Sequence, residues 1–494
     1  MMGLRHYFNA TAVRISAILL SALGGLFLFP FILRSLGEND FGIWSIAAAI
    51  TSYFLLVDFG ISLACTRFLS LEPDNPSAWK RIISNSLALA AVVMIVLAFS
   101  GLTLLVCIYF FGLFPEHKML YTVVALVAIE SGISMLLRVY QSVLRANVQY
   151  LELGYFEILR VILRLSGLSL ILYFDGGLLQ LVIFSGFANI LFFAASFIYV
   201  RYRYKQTFFH ADLIDIQEIK ALFNFGKFAI LVQVSELFRY RMDGIFVGIV
   251  MGLSAVAHFA ILITMIDMAV QILSRFLSYW DTIIIRHVGE KDQEAALACV
   301  LKAINIGFAV SGLFILNFLL MGELFLQFWV GEKYQYLIHD LVIMGGIMLV
   351  ITLQMAMTPY LNANGLQKKD AFYTALDIGL KLALIFPFIQ WFEFRGAILA
   401  TLIPGLLIAL LIRLRLVAQT AGAEYLHLLW KTVRTAALLA LGIMAMWLLN
   451  DGLSELVSNP YLVIFMILMV EGSLLVLGWL FIRRKKSKTA NLTA

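Results

Sequence analysis

Three cysteines, eight prolines and a charged fraction of 13% are little for a chain of 494 residues, and each scarcity closes off a class of protein. Cys65, Cys107 and Cys299 are scattered through or beside apolar segments, without CxxC spacing or clustered histidine. Neither a disulfide framework nor a zinc site is supported, and they read as packing residues. The chain lacks a Walker lysine loop, so ATP hydrolysis within it is unsupported. It has no basic soluble domain, which leaves nucleic acid without a binding surface, and nothing in it calls for a metal or other cofactor. Apolar sequence fills the space instead: 62% of residues are hydrophobic and the mean hydropathy is +0.95. A soluble protein of this length has a different composition.

Runs of roughly 20 apolar residues can cross about 30 Å of hydrocarbon. They fall near 11–33, 41–63, 84–112, 119–137, 152–174, 178–200, 222–249, 254–275, 302–321, 339–360, 370–390, 396–416, 432–449 and 461–482. The expectation is an all-α polytopic membrane protein of about fourteen transmembrane helices. The last two spans form an appended pair.

Lysine and arginine in short connections set orientation, because cytoplasmic loops retain positive charge. One side carries Arg67, Lys80, Arg81, Arg201, Arg203, Lys205, Lys220, Arg286, Lys291, Lys302, Lys368, Lys369, Arg413, Arg415, Lys431 and Arg434, with the tail Arg483-Arg484-Lys485-Lys486. The opposite connections are short and mostly acidic, among them Glu38, Asp40, Glu116, Asp175, Glu323, Glu393 and Asp451. Both termini are therefore expected in the cytoplasm. Reporter fusions after residues 210 and 485 should read cytoplasm and one near residue 453 periplasm; a periplasmic signal at 485 would refute fourteen spans. The first span is too long for a signal peptide and lacks a cleavage site.

Internal repetition organises the chain. Leu36-Gly37 through Phe41-Gly42-Ile43-Trp44 lines up with Met251-Gly252 through Val256-Ala257-His258-Phe259, and Arg145-Ala146-Asn147 through Arg164 lines up with Asn362-Ala363-Asn364 through Lys381. The offset stays at about 215–219. Six spans per repeat return the chain to the same side, which makes this a parallel duplication. Two parallel-repeat six-helix lobes follow, at 1–210 and 211–420, with a helix pair and basic tail at 421–494. The stretch 201–220 links the lobes.

The run Leu36-Gly37-x-x-x-Phe41-Gly42-Ile43-Trp44, followed by Asp58-Phe59-Gly60-Ile61 and Arg67, resembles the start of bacterial polysaccharide flippases of the O-antigen and exopolysaccharide type. These belong to the multidrug/oligosaccharidyl-lipid/polysaccharide superfamily. Asp243-Gly244-Ile245-Phe246-Val247-Gly248 and Asn362-Ala363-Asn364-Gly365 add to the likeness, which covers about the first 420 residues. It implies a translocator of undecaprenyl-diphosphate-linked oligosaccharide in the bacterial cytoplasmic (inner) membrane, with two lobes around a central cavity. Many such proteins are read as twelve-span, so the extra pair departs from the commonest pattern.

Charges inside the apolar helices carry the functional reading, since one at the bilayer centre costs about 2.5–3.5 kcal/mol on insertion scales. Residues three and four apart share a helix face. Glu130, Ser134, Arg138, Gln141 and Arg145 form one stripe and Glu157, Arg160 and Arg164 a second. Arg164 lies near mid-membrane, at the position matched by Lys381. The candidates for a cationic substrate cavity are Arg14, Arg138, Arg160, Arg164, Arg241 and Lys381, because guanidinium binds phosphate through paired hydrogen bonds. Asp58, Glu130, Glu236, Asp267 and Asp377 are the carboxylates available for ion coupling or gating. The alternative, intramolecular ion pairing, stays open for both stripes and for Asp377 with Lys381, four apart.

Three function classes compete. A lipid-linked oligosaccharide flippase needs a hydrophilic cavity, cationic phosphate contacts and a lateral opening for the lipid tail. An ion-coupled drug antiporter of the same superfamily should have a more aromatic, acidic cavity with fewer arginines. A membrane glycosyltransferase or polysaccharide polymerase should place its chemistry on substantial external loops, and those here are short. Glu38-Asn39-Asp40 reads as a polar turn rather than a metal site. The flippase reading, without covalent chemistry, is preferred. Its partners would be the lipid-linked oligosaccharide, membrane lipids, and a polysaccharide polymerase and chain-length regulator.

Overall fold

The computed structural model describes residues 4–56, 60–72, 75–110, 118–204, 209–224 and 242–456. Most of the expected seventh span, all of the span expected at 461–482, and the candidates Asp58, Glu236 and Arg241 lie outside them. The protein is an all-α polytopic membrane protein. Its helices are α1 (Leu4–Leu56), α2 (Ile61–Leu71), α3 (Pro76–Phe110), α4 (Lys118–Ala146), α5 (Tyr150–Tyr173), α6 (Leu178–Arg203) and α7 (Asp243–Met251). They continue with α8 (Leu253–Gly289), α9 (Gln293–Trp329), α10 (Ile338–Ala363), α11 (Gln367–Phe392), α12 (Phe394–Leu407), α13 (Leu414–Ala421) and α14 (Tyr425–Leu456). Among the described residues ten stretches are long and apolar enough to cross a membrane.

Several helices outrun the spans expected from hydropathy. At 37 residues each, α8 and α9 reach roughly 55 Å, well beyond a hydrocarbon core of about 30 Å. The first two expected spans form a single element, α1, broken only at Gly37. There φ is 73° and ψ 174°, which a side chain would strain. Gly252, its partner in the repeat, has φ 90° and ψ 176° and separates α7 from α8 in the same way.

The repetition recurs in turn after turn. Val148, between α4 and α5, has φ 58°, and Gly365, between α10 and α11, has φ 74°. Just before them, Asn147 Nδ2 donates to the Val143 carbonyl at 2.7 Å and Asn364 Nδ2 to the Tyr360 carbonyl at 2.9 Å. Asp175 and Glu393 occupy the left-handed region at φ 55° and 56° in the next pair of turns. The starts of α3 and α9 share one cap: Asn75 Oδ1 accepts from the Ala78 amide at 3.2 Å, and Asp292 Oδ1 from the Ala295 amide at 2.9 Å.

The chain forms two compact units, one of residues 1–268 and 371–405 and the other of 269–370 and 406–494. In the first, α2, α3, α4 and α6 enclose a core around Trp79, Ile83, Val143, Leu144 and Val200. The two repeated turns also meet there. A Cβ on Gly42 would lie 2.2 Å from the Leu253 carbonyl oxygen, so that approach requires glycine. Ser254 Oγ donates to Glu38 Oε2 at 2.5 Å, and His258 Nε2 lies 3.4 Å from the same oxygen.

The stretch expected to link the lobes docks on α3. Fully buried Asn85 donates to the Leu213 carbonyl at 3.0 Å and to Glu218 at 2.8 Å, and accepts from the Asp215 amide at 2.8 Å. Burial pushes the Glu218 carboxyl above its usual range, while its ion pair with Arg81 opposes that shift. In the second unit α9 packs on α10 through small residues, with Gly307 against Thr352, and Ser311 lies 3.2 Å from Thr352 between hydroxyl oxygens.

Candidate functional site: a cationic cavity among the first six helices

The two polar stripes of α4 and α5 face cavities in the first unit. Arg160 and Arg164, four apart on α5, project from one helix face, as the spacing requires. With Glu130 of α4 they line a cavity of about 400 Å³, closed by Trp44 and Thr51 of α1 and by Ser185 and Asn189 of α6. A second cavity of about 360 Å³ lies beside Arg160 and is lined by Arg138, Gln141 and Arg145 of α4 and Glu157 of α5. A third, of about 170 Å³, has Arg160, Arg164 and Leu28 in its wall.

Each arginine is held differently. Arg160 pairs with Glu157, donates to Asn189 Oδ1 at 3.1 Å and lies 5.1 Å from the centroid of the Phe192 ring. Arg138 stands over Phe193 at 5.6 Å. These cation–π seats brace the guanidinium groups on α6. Glu130 is buried and accepts hydrogen bonds from Ser134 at 2.9 Å and Ser131 at 3.4 Å. Gly186 leaves room for it, since a Cβ there would lie 3.1 Å from Glu130 Cγ. Arg164 has neither hydrogen bond nor ion pair among the described residues, and Arg160 and Glu130 are the charges acting on it. The ion pairing left open by the sequence is therefore realised at Arg160, whereas Arg164 shares its cavity with Glu130 without pairing to it.

Comparison with known proteins agrees with this architecture. The family described as "Polysaccharide biosynthesis protein" matches residues 31–338. The chain belongs to that family. A Shigella flexneri protein named "Putative O-antigen transporter" is 24% identical over 400 residues, covering 78% of this chain and 91% of that protein. Among solved structures, the lipid II flippase MurJ in an inward closed conformation superposes with a TM-score of 0.68 at 13% identity, covering 96% of this chain and 99% of MurJ. An inward-facing multidrug resistance transporter of the MATE family gives 0.66 at 14% identity, covering 86% and 98%. These two similarities establish the fold.

The chain treats the position matched to Arg164 differently. Lys381 is 2% exposed, and its Nζ lies 2.7 Å from Asp243 Oδ1, while Thr401 donates to Asp243 Oδ2 at 3.3 Å. Lys381 lines none of the three cavities around Arg160. At the repeat offset of 215 that aligns Gly37 with Gly252, the residue matching Asp243 is Leu28. Thus the second repeat supplies a carboxylate to its cation and the first supplies leucine.

Asp377 is buried on α11, and Asp267 borders a separate cavity of about 250 Å³ with Trp44, Phe259 and Thr264. Arg14 falls on α1, and its side chain lies outside the description. Sequence reading missed Asn189, Phe192 and Phe193, because α6 carries no charge before Arg201 to draw attention to it. It also counted Arg413 among the loop cations. The structure buries Arg413 at the end of a π-helical turn, Ile408–Arg413, with its Nη2 3.2 Å from Asp370 Oδ1. Thr358 donates to the other oxygen of Asp370 at 3.3 Å.

Proposed function

We propose that the protein translocates undecaprenyl-diphosphate-linked oligosaccharide, an O-antigen or exopolysaccharide repeat unit, across the bacterial inner membrane. Arg164, which makes no ion pair or hydrogen bond among the described residues, carries this reading. A guanidinium held in a membrane cavity with no ion pair or hydrogen bond is a costly feature in an empty protein and a favourable one when an anion arrives. Arg138 and Arg160 extend the cationic surface, and Arg14 and Arg241 are assigned to it as well. The named functions of the Shigella relative and of MurJ favour a lipid-linked saccharide over a drug cation.

Transport would proceed by alternating access of the lobes at 1–210 and 211–420, with the pair at 421–494 appended and both termini in the cytoplasm. The sugar-diphosphate head occupies the cavity, the polyprenyl tail stays in lipid, and no bond is made or broken. Glu130 and Asp267 remain the cavity carboxylates suited to ion coupling. A polysaccharide polymerase and a chain-length regulator are the protein partners expected to receive the product.

Proteoliposomes holding the purified protein provide the test. Addition of a fluorescent polyprenyl-diphosphate-linked saccharide should give faster loss of quencher-accessible label than in protein-free vesicles, and ethidium should not be moved. Ethidium transport without saccharide transport would replace this reading with the drug antiporter.

A further inference from the structure

The cavity over Arg160 and Arg164 combines two surfaces that a water-soluble anion would not need. Its floor carries two guanidinium groups and Glu130, whereas Leu126, Ile129, Ile183, Phe187 and Ile190 make up much of its wall. Ile129 is 62% exposed, Ile183 52% and Phe187 53%, so these three rim residues lie open at the cavity mouth. They lie within stretches of α4 and α6 long and apolar enough to cross a membrane, where open apolar side chains would meet hydrocarbon. Past Arg160 the character changes: the neighbouring cavity is polar, with Gln141, Arg138 and Glu157. Arg160 lines both.

We propose that the mouth between Ile129 of α4 and Ile183 and Phe187 of α6 seats the first isoprenoid units of a prenyl diphosphate, whose phosphates rest on Arg160 and Arg164. The lipid then straddles Arg160, with its chain leaving through the first repeat itself and its sugar head in the polar cavity beyond. The inference rests on the flippase reading and adds to it the position and exit of the chain. Charge complementarity selects the occupant. A neutral lipid would leave Arg164 without an ion pair or hydrogen bond, and a free phosphate would leave the apolar rim without use.

Purified full-length protein in detergent, assayed by equilibrium binding of farnesyl diphosphate, inorganic pyrophosphate and farnesol, tests this directly. Wild type should hold farnesyl diphosphate at least ~10-fold tighter than pyrophosphate, since burying several methylene-sized groups favours the prenylated ligand. Ile183→Ser combined with Phe187→Ser should bring that ratio close to one and leave pyrophosphate affinity unchanged. Leu411→Ser, an equally exposed apolar site in the other unit, should leave the ratio intact. Arg164→Gln should weaken both diphosphates. A photoreactive benzoylphenylalanine at position 187 should attach to the farnesyl chain, a readout that holds even if the serine variants fold poorly. Undiminished farnesyl diphosphate binding in the rim variant, without attachment at 187, would overturn the proposal and spare the flippase reading. Failure of wild type to bind either diphosphate would remove the anion site and both readings together.

Discussion

Replacing Arg164 with alanine is expected to reduce glycan export to a few per cent of wild type while the amount of folded protein in the membrane stays near normal. A hydrogen bond to a charged group contributes about 1.5–3 kcal/mol, and loss of that much corresponds to roughly 10- to 150-fold in affinity. Stability should be spared because Arg164 has no ion pair or hydrogen bond among the described residues, and buried Glu130, a charge that acts on it, keeps its hydrogen bonds from Ser134 and Ser131. Arg164→Lys should restore only part of the activity, since ammonium keeps the charge and loses the planar, bidentate geometry. Export is read as surface polysaccharide in a strain lacking the native gene, and protein level by immunoblot of the membrane fraction. A sharp fall in protein level for the alanine variant would instead make Arg164 a structural residue.

The features legible in the sequence were those that depend on neighbours along the chain. Hydropathy located the helices, and the recurrence of Asn147 and Asn364 reported a real turn, because each side chain caps the carbonyl four residues before it. Helical spacing likewise placed Arg160 and Arg164 on one face of α5 and Glu130 with Arg138 on one face of α4, where both line cavities. What spacing could not give was the partner across space. Lys381 lies four residues from Asp377, which suggests a local pair, and spacing gives no sign of Asp243, the carboxylate of another helix whose oxygen lies 2.7 Å from the ammonium. Arg413 looked like a loop cation because the rule for orientation counts lysine and arginine near span ends and is blind to burial. Its carboxylate, Asp370, is 43 residues earlier in the chain. Aromatic support from Phe192 and Phe193 was equally hidden, for nothing in an apolar helix distinguishes a ring under a guanidinium from one facing lipid.

Lys381 and Asp243 are expected to behave as one unit, and that separates them from Arg164. Lys381→Met alone should destabilise the protein by about 3–5 kcal/mol, because Asp243 would stay buried after losing this ion pair and keep the hydrogen bond from Thr401. Asp243→Leu alone should also destabilise, because it removes the carboxylate 2.7 Å from the buried ammonium. Together they should recover most of the loss, since an apolar pair of similar volume is often as stable as a buried ion pair. The repeat itself supports the choice of leucine: Leu28 occupies the position matched to Asp243, beside Arg164 in the wall of the third cavity. Thermal unfolding of the four purified proteins closes the cycle, with an expected coupling of several kcal/mol between the two sites. Export then decides the role. Activity restored along with stability in the double variant makes Lys381 a pin that holds α7 to α11. A stable but inactive double variant would return Lys381 to the substrate path, and the asymmetry between the repeats would lose its functional meaning.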